Sequence, residues 1–423
     1  MAATQRPNPD EQQNEQQVEQ QVEQQDEQQD EQQVEQQDEQ QDGQQQEEQI
    51  KAVYGESDFD ISLPDIPMPE PEPEKKTEVK DEIDAAFNFA FIGAGQGGSR
   101  IAETFHKLGY RKVAAINTAM QDLNTLKLID NKLCIGDGGA GKDPKVAEEL
   151  FNQKSEDVLD FMKYSFGEEL DRVIVSLGAG GGTGAGMMEP LVYAAQELQE
   201  SVKASSKQVG VILALPKASE GRKVNANAHE TLKKAFDLVD KGVVSPLIIL
   251  DNEKITKLYP NLVVSNFWQT ANMSMCGLFN LFNLTASKDS SYSAFDKKDY
   301  ETILDSGCIV FGASPVANWE DPVSISRAVR ENLKNNLLSG GLDLSSGTCA
   351  AAVVVGGKEQ LDNIPQKNLD QAFEQLSRML KPGNVVHNGI YGGDKPSLTV
   401  FTALGGLARP TLKLEELAKL GDL

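Results

Sequence analysis

Histidine and cysteine are scarce in this sequence, with three and four copies in 423 residues. Cys134, Cys276, Cys308 and Cys349 are widely spaced and form no CxxC pair, which argues against a zinc site and predicts a reduced compartment. His106, His229 and His387 are equally scattered, so each is expected to be structural or on the surface. Positive charge is scarce too: 40 Lys and Arg stand against 65 Asp and Glu, a net charge of -25. Clustered cations hold phosphate backbones, so no direct nucleic-acid binding is expected. A discrete anion site built from backbone N–H groups is still allowed. The chain has no run of about 18 apolar residues, and its opening, MAATQRPNPD, has no hydrophobic signal core. No membrane insertion and a cytoplasmic location are the expectation.

What is present begins with a repeat. From Gln12 to Gln49 the unit xEQQ recurs, with x mostly Val or Asp. Such a tract buries too little to offset the entropy of ordering, which predicts a disordered, acidic, Gln-rich tail. A period of four also sets Val18 and Val22 on one helical stripe, so a helix binding an adaptor is the alternative. Asp58 to Glu74 is acidic and punctuated by proline, hence an extended linker. Ile61, Leu63, Ile66 and Met68 suit it for docking as well as tethering.

Near Ala85 the pattern changes. Asn88–Ile92, Lys112–Ile116, Arg172–Leu177, Gln208–Leu215 and Pro246–Leu250 are apolar runs that predict buried strands. Helical patterns lie between them, as at Arg100–Leu108 and Met187–Leu198. Alternation of this kind predicts an α/β fold with a doubly wound parallel sheet. Beyond a long helical stretch, strands are expected at Cys308–Gly312, Thr348–Val355 and Ser397–Leu404, with helices at Ser324–Leu338 and Asn368–Leu380. The expected organisation is a tail and linker (1–84), a first domain (85–265), a central helix and following loop (266–300), a second α+β domain (301–410) and a short C-terminal tail (411–423).

Three glycine-rich loops carry the chemistry. The first, Gly93 to Arg100, lies between a strand and a helix, where glycines admit a sharp turn and close approach to phosphate. It also spells G-x-G-x-x-G, but a nicotinamide enzyme needs Asp or Glu at the end of the next strand. Asn117-Thr118 stand there instead. The second loop, Gly136 to Lys142, approximates a Walker A motif, yet Asp143 replaces the Ser or Thr that would bind magnesium. The third loop, GAGGGTGAG from Gly178 to Gly186, is too long for a mere flexible turn. A run of free N–H groups around an anion is the better reading, and Thr183 would add a hydroxyl to a phosphate or its magnesium.

GAGGGTGAG resembles the signature loop of the tubulin/FtsZ family, and its flanks resemble FtsZ in particular. Further stretches agree in order: Ala115-Ile116-Asn117-Thr118, Gly138 to Pro144, Leu215-Pro216 with Glu220-Gly221, Asp251-Asn252-Glu253, and Trp268, Asn272 and Gly277 at the spacing that opens the family's central helix. The resemblance implies a GTPase that binds GTP or GDP, with magnesium held mainly through the nucleotide. It implies that Gly95, Gln96 and Gly97 face the α- and β-phosphates and that Gly139, Ala140 and Gly141 lie near the γ-phosphate. Gly178 and Gly180, Gly181, Gly182, Thr183 and Gly184 would cradle the phosphates, with Asn117 and Pro216 beside them. Glu220 would bond the ribose, Asn272 would read the guanine edge, and Trp268 would stack on its face.

The same resemblance implies a homo-polymer, a head-to-tail filament in which acids after the central helix enter the neighbouring subunit's site. Asp296 and Asp299 have the matching three-residue spacing; a helix N-cap and a dipole partner are the other reading of the same pair. Ala294 stands where the family has Asn, and Val224 where it has Arg, with Arg222 nearby. Little follows SLTVFTALGGLARP, and the tail is at the front. Positioning of DNA or particles is therefore an alternative to cell division, and a non-hydrolysing nucleotide-binding scaffold is an alternative to the enzyme.

Overall fold

The computed structural model describes residues 84–423 apart from 262, 317 and 394–396. The Gln-rich tail and the linker lie outside the described residues.

The expected apolar runs form β1 (Phe89–Ala94), β2 (Val113–Asn117), β4 (Arg172–Gly178), β5 (Val209–Leu215) and β6 (Val244–Asp251), while β3 (Asn131–Cys134) adds a short half-buried strand that no apolar run announced. Between and after them lie α1 (Gly95–Lys107), α2 (Met120–Asn124), α3 (Pro144–Gln153), α4 (Ser155–Phe166), α5 (Thr183–Val202), α6 (Arg222–Asp240) and α7 (Asn252–Leu258). The local chemistry accounts for their starts. Asp143 caps α3 by accepting the Lys145 N–H, and Pro144 occupies the first helical position, where no N–H is needed. The Walker-like ending of the second loop is thus a helix start.

The second half supplies α8 (Val264–Thr285), α9 (Lys297–Leu304), β7 (Cys308–Pro315), α10 (Ser324–Glu331), β8 (Cys349–Gly357), α11 (Lys358–Asn363), α12 (Gln366–Met379), β9 (Val385–Gly393), β10 (Leu398–Leu407) and α13 (Thr411–Gly421). The helix expected over 324–338 stops early. A π-turn at Asn332–Asn336 follows, with fully buried Asn332 donating to Thr402 Oγ1 at 2.9 Å. A buried amide seeking a partner on β10 opens the helix there. Residues 411–423 form α13 rather than a loose end: its Leu417 is buried and Gly421 packs on Ala226 of α6.

One ten-stranded sheet has the order β3-β2-β1-β4-β5-β6-β7-β10-β8-β9. Every pairing from β3 to β7 is parallel; β10 runs antiparallel to both β7 and β8. The β6–β7 seam is narrow, with only Leu247↔Cys308 and Ile248↔Ile309 in register. Alternate strand residues feed two apolar layers. Ala90 and Ile92 join the layer under α5 and α6, whereas Phe89 and Phe91 pack against Phe105 of α1 and Phe279 of α8. Strand order reverses between β1 and β4, both of which lie beside one another although β2 and β3 intervene in sequence. In open α/β sheets ligands bind outside the carboxyl ends of strands at such a switch point. Among the described residues no helix is long and apolar enough to cross a membrane.

Candidate nucleotide cleft

β1 and β4 end in register, Ala94 opposite Leu177, and Gly178 lies opposite Ala214 of β5. The chain turns away from the sheet after each strand, leaving a cleft of about 440 Å³. Gly95, Gln96 and Gly97 line it from the first loop. They form the opening turn of α1, so their N–H groups have no acceptor within the helix. Gly95 has φ +69, a left-handed conformation that favours glycine.

The glycines divide by what surrounds them. A Cβ on Gly98 would fall 2.1 Å from the Ser176 carbonyl oxygen, so this glycine lets α1 lie flat on β4. Gly139, Gly178 and Gly181 have nothing within 4 Å of a built Cβ. Packing does not require their smallness; open cleft lies where their side chains would be. From the second loop Gly139, Ala140, Gly141 and Lys142 reach the wall. From the third come Gly178, Gly180, Gly181, Gly182, Thr183 and Gly184, ending at the first turn of α5. The Thr183 hydroxyl lies 2.8 Å from that of Thr118, so its orientation is fixed from the end of β2.

Asn117 does not line the wall. Its Oδ1 accepts the N–H groups of Thr118 and Ala119, and its Nδ2 donates to Asp122 at 3.1 Å. It holds Asp122, which does border the cleft. The opposite wall is built from Pro216, Glu220, Val224, Asn252, Trp268 and Asn272. Glu220 accepts the Lys217 N–H at 2.8 Å, which fixes its loop. Trp268 is 40% exposed, and Asn272, one turn further along α8, is buried. Asn252 is buried, and its Oδ1 has no hydrogen-bond partner. An unsatisfied buried amide on a cleft wall is costly unless a ligand supplies the partner.

Arg100, Lys142, Asp122 and Asn252 were not anticipated as wall residues. Neither Arg100 nor Lys142 pairs with a carboxylate among the described residues, which leaves two cations facing the cleft. Val224 packs against Gly180, and Arg222 does not substitute for a cation there; it pairs with Asp422 of the C-terminal segment at 2.9 Å. Arg100 is the last residue of the first glycine-rich stretch, three positions after Gly97 on α1, a spacing that marks it in retrospect.

Asp296 and Asp299 sit elsewhere. They form a reciprocal capping box at the start of α9: Asp296 Oδ1 accepts the Asp299 N–H at 2.9 Å, and Asp299 Oδ2 accepts the Asp296 N–H at 3.1 Å. The neighbouring Lys297 Nζ lies 4.5 Å over the ring of Phe87, which precedes β1. The acids therefore lie toward the amino end of β1 and the cleft lies beyond its carboxyl end, about 20 Å away by the rise of a six-residue strand.

Residues 88–260 match the Tubulin/FtsZ family, GTPase domain. The tubulin-like protein TubZ of Bacillus cereus is 25% identical over 249 residues, 54% of this chain and 55% of the relative. The matched stretch thus spans about half the length of that relative. The tubulin-like protein CetZ of Pyrococcus abyssi is 27% identical over 327 residues, covering 75% and 84%. Among solved structures, a GTPγS-form protofilament of TubZ from Bacillus thuringiensis serovar israelensis superposes with a TM-score of 0.70 at 19% identity, over 80% of this chain and 92% of that one. The fold is that of the tubulin/FtsZ class. The chain is a divergent tubulin/FtsZ-like protein, as its glycine loops implied.

Proposed function

We propose that the protein binds GTP or GDP in this cleft, assembles head to tail, and hydrolyses GTP at sites completed by the next subunit. The observation that carries the reading is the convergence of three glycine loops on one cleft whose far wall holds Trp268, Asn272 and the unsatisfied Asn252. The open-faced glycines present N–H groups to phosphates. Arg100 and Lys142 oppose phosphate charge, Glu220 bonds the ribose, and the two asparagines donate to and accept from the guanine edge. Magnesium, held mainly through the nucleotide, would neutralise charge developing on the phosphate oxygens. Asp296 and Asp299, too far from their own cleft, would orient water in a neighbour's.

Nucleotide binding is assigned to residues 85–265 together with the start of α8. A cytoplasmic filament of this kind would position DNA or a particle, or mark a division site, with an adaptor on the acidic N-terminal tail.

The capping box favours a second reading. Each aspartate already satisfies the other's N–H, and Ala294 and Val224 remove two groups implied by the resemblance, which suits a nucleotide-binding scaffold that does not turn over. Light scattering and phosphate release with GTP and with GDP separate the two. The enzyme scatters and releases phosphate with GTP alone; the scaffold assembles without release. Asp299→Ala is expected to keep GTP binding and lose turnover, and unchanged turnover would remove Asp299 from the active site.

A further inference from the structure

We infer that His387 is a positioning residue for Asp299, acting through it on a GTP-hydrolysing site in the neighbouring subunit. The inference rests on the proposed function, in which Asp299 serves that site.

β9 borders the sheet, and the segment between α8 and α9 folds along its free edge. Ile390 donates its N–H to the Ser293 carbonyl at 2.8 Å, and the Ser290 hydroxyl donates to the Ile390 carbonyl. Side chains two residues apart on a strand share a face, and on this strand the face of His387, Gly389 and Tyr391 meets the end of the segment and the first turn of α9. The Tyr391 hydroxyl accepts the Phe295 N–H at 2.9 Å. Gly389 leaves room for Phe295, since a Cβ there would lie 2.8 Å from the Phe295 Cβ. His387 Nδ1 lies 2.6 Å from Asp299 Oδ1, with only 16% of the histidine side chain exposed.

The Asp299 carboxylate is therefore held at both oxygens, by His387 and by the Asp296 N–H. His387 Nε2 is buried without a hydrogen-bond partner. The tautomer protonated at Nδ1 donates to Asp299 and leaves no buried N–H unsatisfied at Nε2. A helix cap does not need this bond, because the capping box is complete without it. The histidine adds something the cap does not: it fixes the rotation of the carboxylate about its own side chain. Where acid and water must meet across two subunits, that angle governs the rate.

The test compares His387→Leu with His387→Asn, because Asn presents an N–H near the place of Nδ1 and Leu presents none. Turnover is measured per polymerised subunit, with polymer quantified by sedimentation, and GTP affinity is measured on unassembled protein. His387→Leu is expected to lower turnover roughly 10- to 100-fold with GTP affinity unchanged, and His387→Asn to recover most of the loss. Wild-type turnover in His387→Leu, or equal loss in both variants, overturns the positioning role. Asp299→Ala run in parallel separates the two levels: full activity there fails the catalytic reading itself, whereas loss there with full activity in His387→Leu fails only the inference. Should His387→Leu not fold, the Asn variant decides the matter: retained turnover agrees with the role, and loss with normal GTP affinity overturns it.

Discussion

Lys413 Nζ lies 2.8 Å from Asp251 Oδ2, and the two side chains are only 7% and 2% exposed. This buried pair ties α13 to the end of β6. The other Asp251 oxygen caps α7, whose first residue, Asn252, borders the cleft. Burial opposes the lysine's charge, yet the Asp251 and Glu416 carboxylates outweigh it and leave Lys413 above the ordinary lysine value.

Breaking one side of such a pair strands a charge in the interior. Lys413→Met is expected to destabilise the protein by about 3–5 kcal/mol in denaturant melts and to weaken nucleotide binding through Asn252. Asp251→Asn combined with Lys413→Met should cost less than the sum of the singles. Because the folded pKa is raised, the pair's contribution is complete at neutral pH. It fades only as pH climbs past the ordinary lysine range through the higher folded value. A loss of stability from this pair on mild acidification would contradict that sign.

Gly98 and Gly181 should respond in opposite ways to alanine. At Gly98 the added methyl meets the Ser176 carbonyl, so Gly98→Ala is expected to lower stability by about 1–3 kcal/mol or more. At Gly181 nothing lies within 4 Å, so Gly181→Ala should melt like the wild type while losing affinity for GTP. Calorimetry for the first and nucleotide titration for the second check the pair.

Trp268 gives the cleft an optical reporter. With Trp319 replaced by Phe, GTP is expected to change the remaining indole emission, and Trp268→Ala should cost about 1–3 kcal/mol of binding. Asn272→Ala should erode the preference for guanine over adenine roughly tenfold or more, measured by competition between GTP and ATP.

The cysteines should differ in reactivity. Burial pushes the Cys308 thiol up to about 12 and raises those of Cys276 and Cys349, while Cys134 is half-buried beside the second loop. Alkylation of native protein at mildly alkaline pH should therefore modify Cys134 alone, and all four thiols in denaturant, as read by mass spectrometry.

Much of this architecture was legible because β1, β4 and β5 are buried on both faces and their residues are mostly apolar, Arg172 and Ser176 of β4 excepted. β3 was not, since NKLC is half-buried and its burial comes from β2 and α4 rather than from its own composition. β9 reads VVHNGIYGG, too polar and glycine-rich to announce a strand. That strand's polarity is what holds Asp299, so its least strand-like residues are the informative ones. The loops were legible as glycine runs and Trp268 and Asn272 by their spacing. Asn252 joins the wall only because the sheet order brings the ends of β1 and β6 to the same side, a relation that no local pattern contains.

The separation of cleft and acids by the length of β1 has an arithmetic consequence. If Asp296 and Asp299 serve a neighbour, an open row of subunits always has one fewer working site than it has subunits. A lone chain has none, and the shortest assemblies work at a fraction of the capacity that long ones approach. Turnover per subunit then rises with concentration until mean length ceases to matter, and the end of each row leaves one site idle regardless of how much nucleotide is present. The protein would report the length of its own row through the rate at which it releases phosphate.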